Sequence, residues 1–474
     1  KIINLIFYFC LKNIRIRMSE KLYKDISTFK VLADELISEF NSKAISIKHN
    51  PLEVLKKFDI SLDENGISEE KFIKILRNIV LNTPKTSGNL FFNQLFGGLN
   101  SKAALGDLLA VILNNSMATY KISGPMVEIE KEILKKVSSI INYPKEYGGT
   151  IATGGSMCNF MALIIARDKK NNTIKNKGNS GKLICYASEN AHYSIDKNAS
   201  FSGIGRDNVR HINTNKKGEI DVIELEKKII EDKKNGLNPF FVNISIGTTV
   251  MGAIDPIKEI SIICKKYDLW MHIDGSYCGS IIFSNQYKYL IEGINESDSF
   301  CFNPHKTLGA PLSSSVFLVR NKKHLSNSFS NKAEYLYQTD DDDYNLGKFS
   351  FECGRRNNSL KFWTLWKSIG TKGIEKMVDH NYELSHYARE YIKKNSDKYT
   401  LYSYENSLSI CFNYKNIDPI KLCTELYNKN KLMVGYGNHK NNTFVRLVTV
   451  NRENTKNDIL NFFKTLEDFA NENL

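Results

Sequence analysis

Short apolar segments alternate with helical segments through the middle of the chain, and this alternation limits the possible folds more than any other feature. The apolar segments have the length of strands, and the segments between them have the apolar spacing of amphipathic helices. Short apolar strands separated by helices are typical of a mostly parallel sheet covered by helices, so we predict an α/β fold. The predicted strands are 182–188, 240–246, 269–273 and 314–320, and the predicted helices between them are 194–201, 221–232 and 257–267.

Polar side chains gather where the predicted strands end. His192 follows the first strand, Thr248 follows the second, and Asp274 ends the third. His305 and Lys306 come directly after a further short apolar run. Because open α/β sheets bind ligands at the carboxyl ends of their strands, we expect these side chains to share one site.

Lys306 lies on a bend. The apolar run before it ends at Asn303-Pro304, a step that breaks a strand and forces a turn. A lysine held there and partly desolvated loses its proton near neutral pH and attacks carbonyl groups. Taken alone, Lys306 is equally compatible with an ordinary surface lysine in a lysine-rich protein.

A glycine-rich turn at 148–156 opens into a predicted helix. Bare backbone N–H groups at a helix start, with the Ser156 hydroxyl beside Gly155, make a cradle for phosphate. The turn has neither the Gly-Lys-Ser/Thr of a Walker A loop nor a G-x-G-x-x-G pattern. By itself it is also compatible with a common surface loop.

The charge balance favours a lysine-rich solvated surface over a nucleic-acid or membrane site, and it stays compatible with anionic substrates or cofactors. The formal net charge is +13, from 65 Lys and Arg against 52 Asp and Glu. The lysines are scattered among asparagines, as at 169–172, and form no stripe with aromatic residues, so we predict a solvated surface. The apolar run at 2–11 is too short to span a bilayer, and its basic residues follow it, the reverse of a signal peptide.

The cysteines and the acidic run give no metal site. The nine cysteines are an odd number and form no Cys-x-x-Cys pair, so zinc sites and a disulfide framework are disfavoured and a reducing cytoplasm is expected. The four aspartates at 340–343 are adjacent and repel one another, so we predict a solvated mobile loop there.

The length allows one large domain with smaller ones beside it. Residues 1–17 precede the first methionine and are predicted to be a disordered or non-native extension. Residues 18–104 are predicted as an N-terminal helical segment, 105–360 as the large domain, and 361–474 as a small α+β domain.

The combination at the strand ends is what pyridoxal 5'-phosphate requires. Its phosphate needs backbone donors and hydroxyls, and its aldehyde reacts with a lysine such as Lys306. A carboxylate such as Asp274 keeps its pyridine nitrogen protonated, and a flat imidazole such as His192 stacks on its ring. Singly, His192 also fits a surface residue and Asp274 a helix cap, but together they favour the cofactor.

The chain resembles a group II pyridoxal-phosphate-dependent amino acid decarboxylase of the glutamate, cysteine-sulfinate and aspartate branch, from about residue 85 to the C-terminus. This resemblance implies fold type I, the aspartate-aminotransferase-like fold, with a seven-stranded, mostly parallel sheet and a small C-terminal domain. The matching motifs are FFNQL at 91–95, GGS at 154–156, SENAHYS at 188–194, GTTVMGAID at 247–255, HID at 272–274, NPHK at 303–306 and CGRR at 353–356.

The resemblance assigns a role to each candidate residue. Lys306 would link to the cofactor, Asp274 would pair with its ring nitrogen, and His192 would stack on the ring. Arg446 would hold the α-carboxylate of the substrate, and Tyr344 would protonate Cα from a mobile loop that crosses a homodimer interface. The remaining assignments are Gly155, Ser156, Thr248, Asn303 and His305 for the cofactor, and Phe92, Asn93 and Gln94 for the substrate.

The implied substrate is a small acidic L-amino acid. Phe96 stands where glutamate enzymes carry a small hydroxyl residue, so aspartate to β-alanine or cysteine sulfinate to hypotaurine is favoured over glutamate or an aromatic amino acid. An aminotransferase shares the lysine and aspartate, but Tyr344 and the pair Arg355-Arg356 favour decarboxylation. The chain departs from the family pattern at Gly275-Ser276, where alanines are usual, and we expect looser packing under the ring there.

Overall fold

The computed structural model describes residues 2–40, 51–179, 181–331, 337, 342–403 and 405–473. Its central feature is a seven-stranded sheet of order β1-β7-β6-β5-β4-β2-β3. Only β7 runs antiparallel to its neighbours, β1 and β6, so the predicted α/β fold with a mostly parallel sheet is confirmed. The strands of this sheet are β1 (Gly148–Ala152), β2 (Leu183–Ser188), β3 (Val209–Ile212), β4 (Asn238–Ser245), β5 (Trp270–Gly275), β6 (Ser299–Phe302) and β7 (Ser315–Val319).

Helices cover both faces of this sheet. Alternate residues of β2 face opposite apolar clusters: Ile184 and Tyr186 join one, and Cys185 and Ala187 join the other. The helices are α1 (Ile2–Ser38), α2 (Val54–Lys57), α3 (Glu69–Leu81), α4 (Ser101–Leu113), α5 (Tyr120–Ser123), α6 (Pro125–Ile140), α7 (Gly155–Lys170), α8 (Ile174–Lys177), α9 (Ser194–Phe201), α10 (Val222–Lys234), α11 (Ile257–Tyr267), α12 (Pro304–Thr307), α13 (Lys322–Phe329), α14 (Ser359–Lys394), α15 (Pro419–Asn428) and α16 (Lys456–Asn473).

A second, four-stranded antiparallel sheet of order β10-β11-β9-β8 forms the C-terminal part of the fold. It packs with α14, α15 and α16, as an α+β unit should. In α14, Gly370 has φ +68°, a value that favours glycine, and it marks a kink between two helical parts. The strands are β8 (Tyr399–Leu401), β9 (Ser409–Tyr414), β10 (Gly435–His439) and β11 (Asn442–Val448).

The predicted domain boundaries stay predictions. Residues 2–17 lie in α1, and their assignment to a disordered or non-native extension stays a prediction. The boundary at 360 falls inside α14, which contacts both sheets. Of the acidic run, Asp340 and Asp341 lie outside the described residues, while the side chain of Asp343 is about half exposed and pairs with Lys322. No helix in the described part of the chain is long and apolar enough to cross a membrane.

Candidate active site

A cavity of about 230 Å³ lies at the carboxyl ends of the central strands. It brings together side chains that are far apart in the sequence, as the pattern of strand ends predicts. Eight of the predicted cofactor residues line it: Gly155, Ser156, His192, Thr248, Asp274, Asn303, His305 and Lys306.

Lys306 lies in the single turn α12, which follows β6 through Asn303-Pro304. Its backbone N–H donates to the Asn303 carbonyl (3.0 Å), which fixes the bend. Burial lowers the pKa of the Lys306 amine, although the negative charge of Asp274 opposes this effect. A lower pKa increases the fraction of neutral amine, the form that reacts with an aldehyde.

Asp274 is the next-to-last residue of β5 and is buried. Burial alone would raise the pKa of its carboxyl group. Hydrogen bonds to Ser276 and Asn159 outweigh burial, so the pKa lies below its usual value. The Ser276 N–H donates to Oδ1 (2.9 Å) and the Asn159 amide donates to Oδ2 (2.7 Å). The cavity therefore contains a fixed, ionised carboxylate.

His192 follows β2, as predicted. Its Nδ1 lies 2.8 Å from the Ser194 hydroxyl, and the Ser194 N–H also points at it (3.2 Å). Burial lowers the pKa of the imidazole, and the positive charge of Lys306 adds to this effect. The ring is therefore neutral at pH 7, and it lines the cavity with the ring of Tyr193 4.2 Å away.

The start of α7 forms an uncapped anion site at the cavity wall. Gly154 occupies the N-cap position, and no side chain caps the helix. A Cβ at Gly155 would lie only 2.9 Å from the Cβ of Ser276, so the close approach requires glycine. Asn303 is buried beside this turn; its Oδ1 has no hydrogen-bond partner among the described residues, and its Nδ2 is the donor that it can offer to a phosphate. These polar groups fit a phosphorylated, polar cofactor.

His305 is buried beside Lys306, and Nδ1 lies 2.6 Å from the Ser314 carbonyl. Burial lowers its pKa from 6.5 to about 4. The unfolded chain therefore binds a proton as the pH falls below about 6.5, while the folded chain does so only near pH 4. Stability that is complete above pH 6.5 is lost as the pH falls toward 4.

We expect His305→Gln to flatten the dependence of stability on pH between pH 6.5 and 4.5. The wild-type chain should lose up to about 3 kcal/mol more than the variant over the full interval between the two pKa values. Urea unfolding at several pH values measures this difference, with the exposed His211→Gln as control. Parallel curves for wild type and His305→Gln would contradict the prediction.

The predicted substrate residues lie outside this cavity or at its border. Arg446 in β11 donates to the carbonyl of Thr249, a cavity residue (2.9 Å), and to the carbonyl of Asn93 (2.8 Å). Phe92 is buried in the small-domain core, 5.1 Å from the ring of Phe462, so its side chain faces away from the cavity. Gln94 is exposed to solvent. The substrate roles of Phe92, Asn93 and Gln94 stay predictions.

Tyr344 also lies away from the cavity of its own chain. Its ring packs against Tyr120 (5.6 Å), and the Lys131 ammonium lies 3.6 Å from the ring centre. A role for Tyr344 within one chain is therefore not supported, which agrees with the expectation that its loop acts on a second copy. That role stays a prediction.

The sequence interpretation missed Asn159, Ser194 and His272 as site residues. Asn159 lies one helical turn after Gly155, so both face the same side of α7. His272 lies two residues before Asp274, so both face the same side of β5. These spacings could have identified them, because Asn159 contacts both Asp274 (2.7 Å) and His272 (3.0 Å).

The looser packing expected at Gly275 is wrong. A Cβ there would lie 2.6 Å from the Cys301 carbonyl oxygen and 2.8 Å from the Phe300 ring. β6 therefore occupies the space of the missing methyl group, and glycine is required by this close approach.

Comparison with known proteins identifies the family. The pyridoxal-dependent decarboxylase conserved domain matches residues 51–415, which is more than half of the chain. The chain belongs to this family. It is a carboxy-lyase of the group II pyridoxal-phosphate-dependent decarboxylases, in the glutamate and cysteine-sulfinate branch, and its cofactor is pyridoxal 5'-phosphate.

Relatives match over almost the whole decarboxylase chain. The acidic amino acid decarboxylase GADL1 of Xenopus tropicalis is 34% identical over 93% of this chain and 90% of its own length. The cysteine sulfinic acid decarboxylase of Mus musculus is 32% identical over 91% of this chain and 92% of its own. The crystal structure of mouse CSAD superposes with a TM-score of 0.89 at 31% identity, covering 94% of this chain and 98% of that one.

Proposed function

We propose that this decarboxylase removes the α-carboxyl group of a small acidic L-amino acid, converting aspartate to β-alanine or cysteine sulfinate to hypotaurine. The observation that carries the proposal is one cavity holding a lysine of lowered pKa, an ionised buried carboxylate and an uncapped helix start. The named activities of the similar proteins, acidic amino acid and cysteine sulfinic acid decarboxylation, support the substrate class.

The residues of the chain bind the cofactor and orient the substrate. Bound pyridoxal phosphate supplies an electron-withdrawing ring that accepts the electron pair of the broken Cα–CO₂ bond. Lys306 attaches the cofactor, Asp274 holds a proton on its ring nitrogen, and His192 covers the ring face. Arg446 binds the α-carboxylate, because its Nε is buried without a partner among the described residues and its guanidinium borders the cavity at Thr249.

Phe96 is the basis for preferring a short substrate. Its half-buried ring packs 6.0 Å from Phe91 in the segment that Arg446 contacts through Asn93. A bulky ring in this segment would leave room for a short acidic side chain and exclude the longer glutamate.

The test is a comparison of aspartate, cysteine sulfinate and glutamate with the purified protein, measuring carbon dioxide and amine. We expect kcat/KM for aspartate or cysteine sulfinate to exceed that for glutamate by about tenfold or more, since one methylene is worth 10- to 200-fold. Phe96→Ser should narrow this ratio. Preference for glutamate in the wild-type protein would overturn the substrate assignment.

We further propose that the protein works as a homodimer in a reducing cytoplasm. One side of α4 packs small residues against α14, with Ala103, Gly106 and Ala110 buried. The rest of the helix exposes apolar side chains, which a soluble protein normally covers. We call them the α4 face; they are 45–56% exposed and comprise Leu105, Leu108, Leu109, Val111, Ile112 and Leu113.

A second copy of this chain is the partner that we expect to cover the α4 face. Tyr344, the residue expected to act in a partner's cavity, packs against Tyr120 in α5, the helix that follows α4. The predicted crossing loop and the α4 face are therefore neighbours. The cytoplasmic location rests on the cysteines, since the eight from Cys158 to Cys423 are free and all of these but Cys353 are buried.

We expect Leu109→Glu to weaken dimerisation by at least about thirtyfold, because it places a charge in the centre of a desolvated apolar interface. Sedimentation at several protein concentrations measures the dissociation constant, and decarboxylation should fall with the dimer fraction. Ile223→Glu, on the exposed side of α10, is the matched control and should stay dimeric. Unchanged sedimentation of Leu109→Glu would refute this interface.

We expect Tyr344→Phe to slow decarboxylation by about 100-fold, because the hydroxyl that protonates Cα is removed while the ring stays in place. A larger share of the product should be a carbonyl compound rather than amine. Chromatography of the products measures this share, and Tyr289→Phe, an exposed tyrosine, is the control. An unchanged product ratio would exclude the proton-donor role.

A further inference from the structure

A buried row of hydrogen bonds runs behind the cavity and ends on Asp274. The Trp270 indole N–H donates to the Ser299 hydroxyl oxygen (2.8 Å), and that oxygen lies 2.8 Å from Nδ1 of His272. Nε2 of His272 lies 3.0 Å from Oδ1 of Asn159, whose Nδ2 donates to Oδ2 of Asp274 (2.7 Å). All of these side chains are buried.

The chemistry of the first group is compatible with one direction of donation along the row. An indole N–H can only donate, so the Ser299 oxygen accepts from Trp270. The Ser299 hydroxyl proton is then available to Nδ1 of His272. With Nδ1 accepting, Nε2 of His272 carries the proton and donates to Asn159.

The other end of the row requires the same arrangement. An ionised carboxylate only accepts, so Asn159 must present its NH₂ group to Asp274 and its carbonyl oxygen to His272. The reversed amide would place an oxygen against the carboxylate. Because the carboxylate imposes this orientation and the Trp270 end accommodates it, the Asn159 side chain is held in one arrangement.

The second N–H of the Asn159 side chain links it, through Ser194, to His192. Nδ2 lies 3.0 Å from the Ser194 oxygen, which lies 2.8 Å from Nδ1 of His192. The Ser194 backbone N–H also donates to this Nδ1 (3.2 Å), so Nδ1 accepts and Nε2 of His192 carries the proton. One amide group thus connects the carboxylate to the imidazole.

We propose that Asn159 and His272 are positioning residues that keep Asp274 ionised and oriented toward the ring nitrogen of the cofactor and fix the tautomer of His192. This inference rests on the proposed role of Asp274. Hydrogen bonds to an ionised group are about twice as strong as neutral ones. Losing the Asn159 donor therefore directly destabilises the ionised form of the Asp274 carboxylate. His272 acts one step further back, by holding the amide in place.

The test uses the reconstituted protein, with the dissociation constant of pyridoxal phosphate and the pH dependence of its visible absorption as readouts. Asn159→Leu removes the donor at similar size, and His272→Phe removes the ring nitrogens. We expect Asn159→Leu to raise the dissociation constant by about tenfold or more and to shift the absorption midpoint by about one pH unit. His272→Phe should act in the same direction, and His272→Gln, which restores an N–H donor, should return toward wild type.

Asn243→Leu is the matched control. Asn243 is a buried asparagine on β4, paired in register with His272, and its amide has no hydrogen-bond partner among the described residues. It should leave both readouts unchanged, so an equal change in Asn159→Leu and Asn243→Leu would show a merely structural effect and overturn the proposal. Failure of His272→Gln to restore what His272→Phe loses would overturn the role of His272.

Asp274→Asn separates this inference from the proposed function. If Asp274→Asn binds the cofactor and absorbs like wild type, the role of Asp274 itself is wrong and the proposal falls with it. If Asp274→Asn loses affinity while Asn159→Leu and His272→Phe match wild type, Asp274 keeps its role and only the positioning inference is overturned.

Discussion

Lys306→Ala is expected to reduce amine formation by at least about 10³-fold while the protein stays folded, because it removes the only amine that lines the cavity among the described residues. Because Lys306 lies at the wall of the cavity rather than in an apolar core cluster, we expect little loss of stability to accompany the change in activity.

The attachment site can be measured independently of the rate. Borohydride reduction of the wild-type protein with bound cofactor should leave the added mass on the peptide that contains Lys306. In Lys306→Ala this mass should be absent, and the visible absorption of the attached cofactor should be lost. The exposed Lys216→Ala is the control and should behave as wild type.

Lys361 is the rival lysine that this experiment excludes. It is fully buried, and burial lowers the pKa of its amine, as it does for Lys306. However, Lys361 pairs with Asp107 (3.0 Å) on the side of α14 that faces α4, and it does not line the cavity. Added mass on Lys361 rather than on Lys306 would contradict the assignment.

The residues that define the cavity could be predicted because the signal for each is local. A polar side chain at the end of an apolar strand is visible in the sequence, and parallel strands bring their ends together whatever their order in the sheet. Lys306, Asp274 and His192 were found in this way. Asn159 and His272 carry only a spacing signal, which becomes meaningful once Asn159 is known to contact both His272 and Asp274.

Other features depend on contacts that local sequence does not encode. Gly148 and Gly149 suggest a turn, yet they begin strand β1, where they pair with strand β7. Glycine is needed there because a Cβ on Gly149 would lie 2.5 Å from the Phe317 carbonyl oxygen of β7. Apolar spacing predicts a helix over 105–120, but helix α4 ends at Leu113, because Asn114 adopts a left-handed conformation (φ 46°). The burial of Phe92 follows from packing against Phe462, near the other end of the chain.

Arg355→Leu is expected to lower the free energy of unfolding by about 3–5 kcal/mol, because it leaves the Glu130 carboxylate buried without its partner. Glu130 and Arg355 are both almost fully buried, with Oε1 and Nη1 2.7 Å apart. Each also bonds to Ile151 in β1: the Ile151 N–H donates to Glu130 (3.0 Å), and Arg355 donates to the Ile151 carbonyl (2.9 Å).

The pair therefore fixes β1 just before the glycine turn that begins α7, so cofactor affinity should fall together with stability in Arg355→Leu. Replacing both partners by leucine should restore much of the stability, since a buried pair exchanged for apolar side chains is often neutral or stabilising. Urea unfolding of the single and double variants measures this recovery. Lys258→Leu, in the exposed pair with Glu292, is the control and should barely move the unfolding midpoint. A double variant no more stable than Arg355→Leu would show that lost packing around the arginine causes the loss of stability. The unpaired carboxylate of Glu130 would then not be the cause.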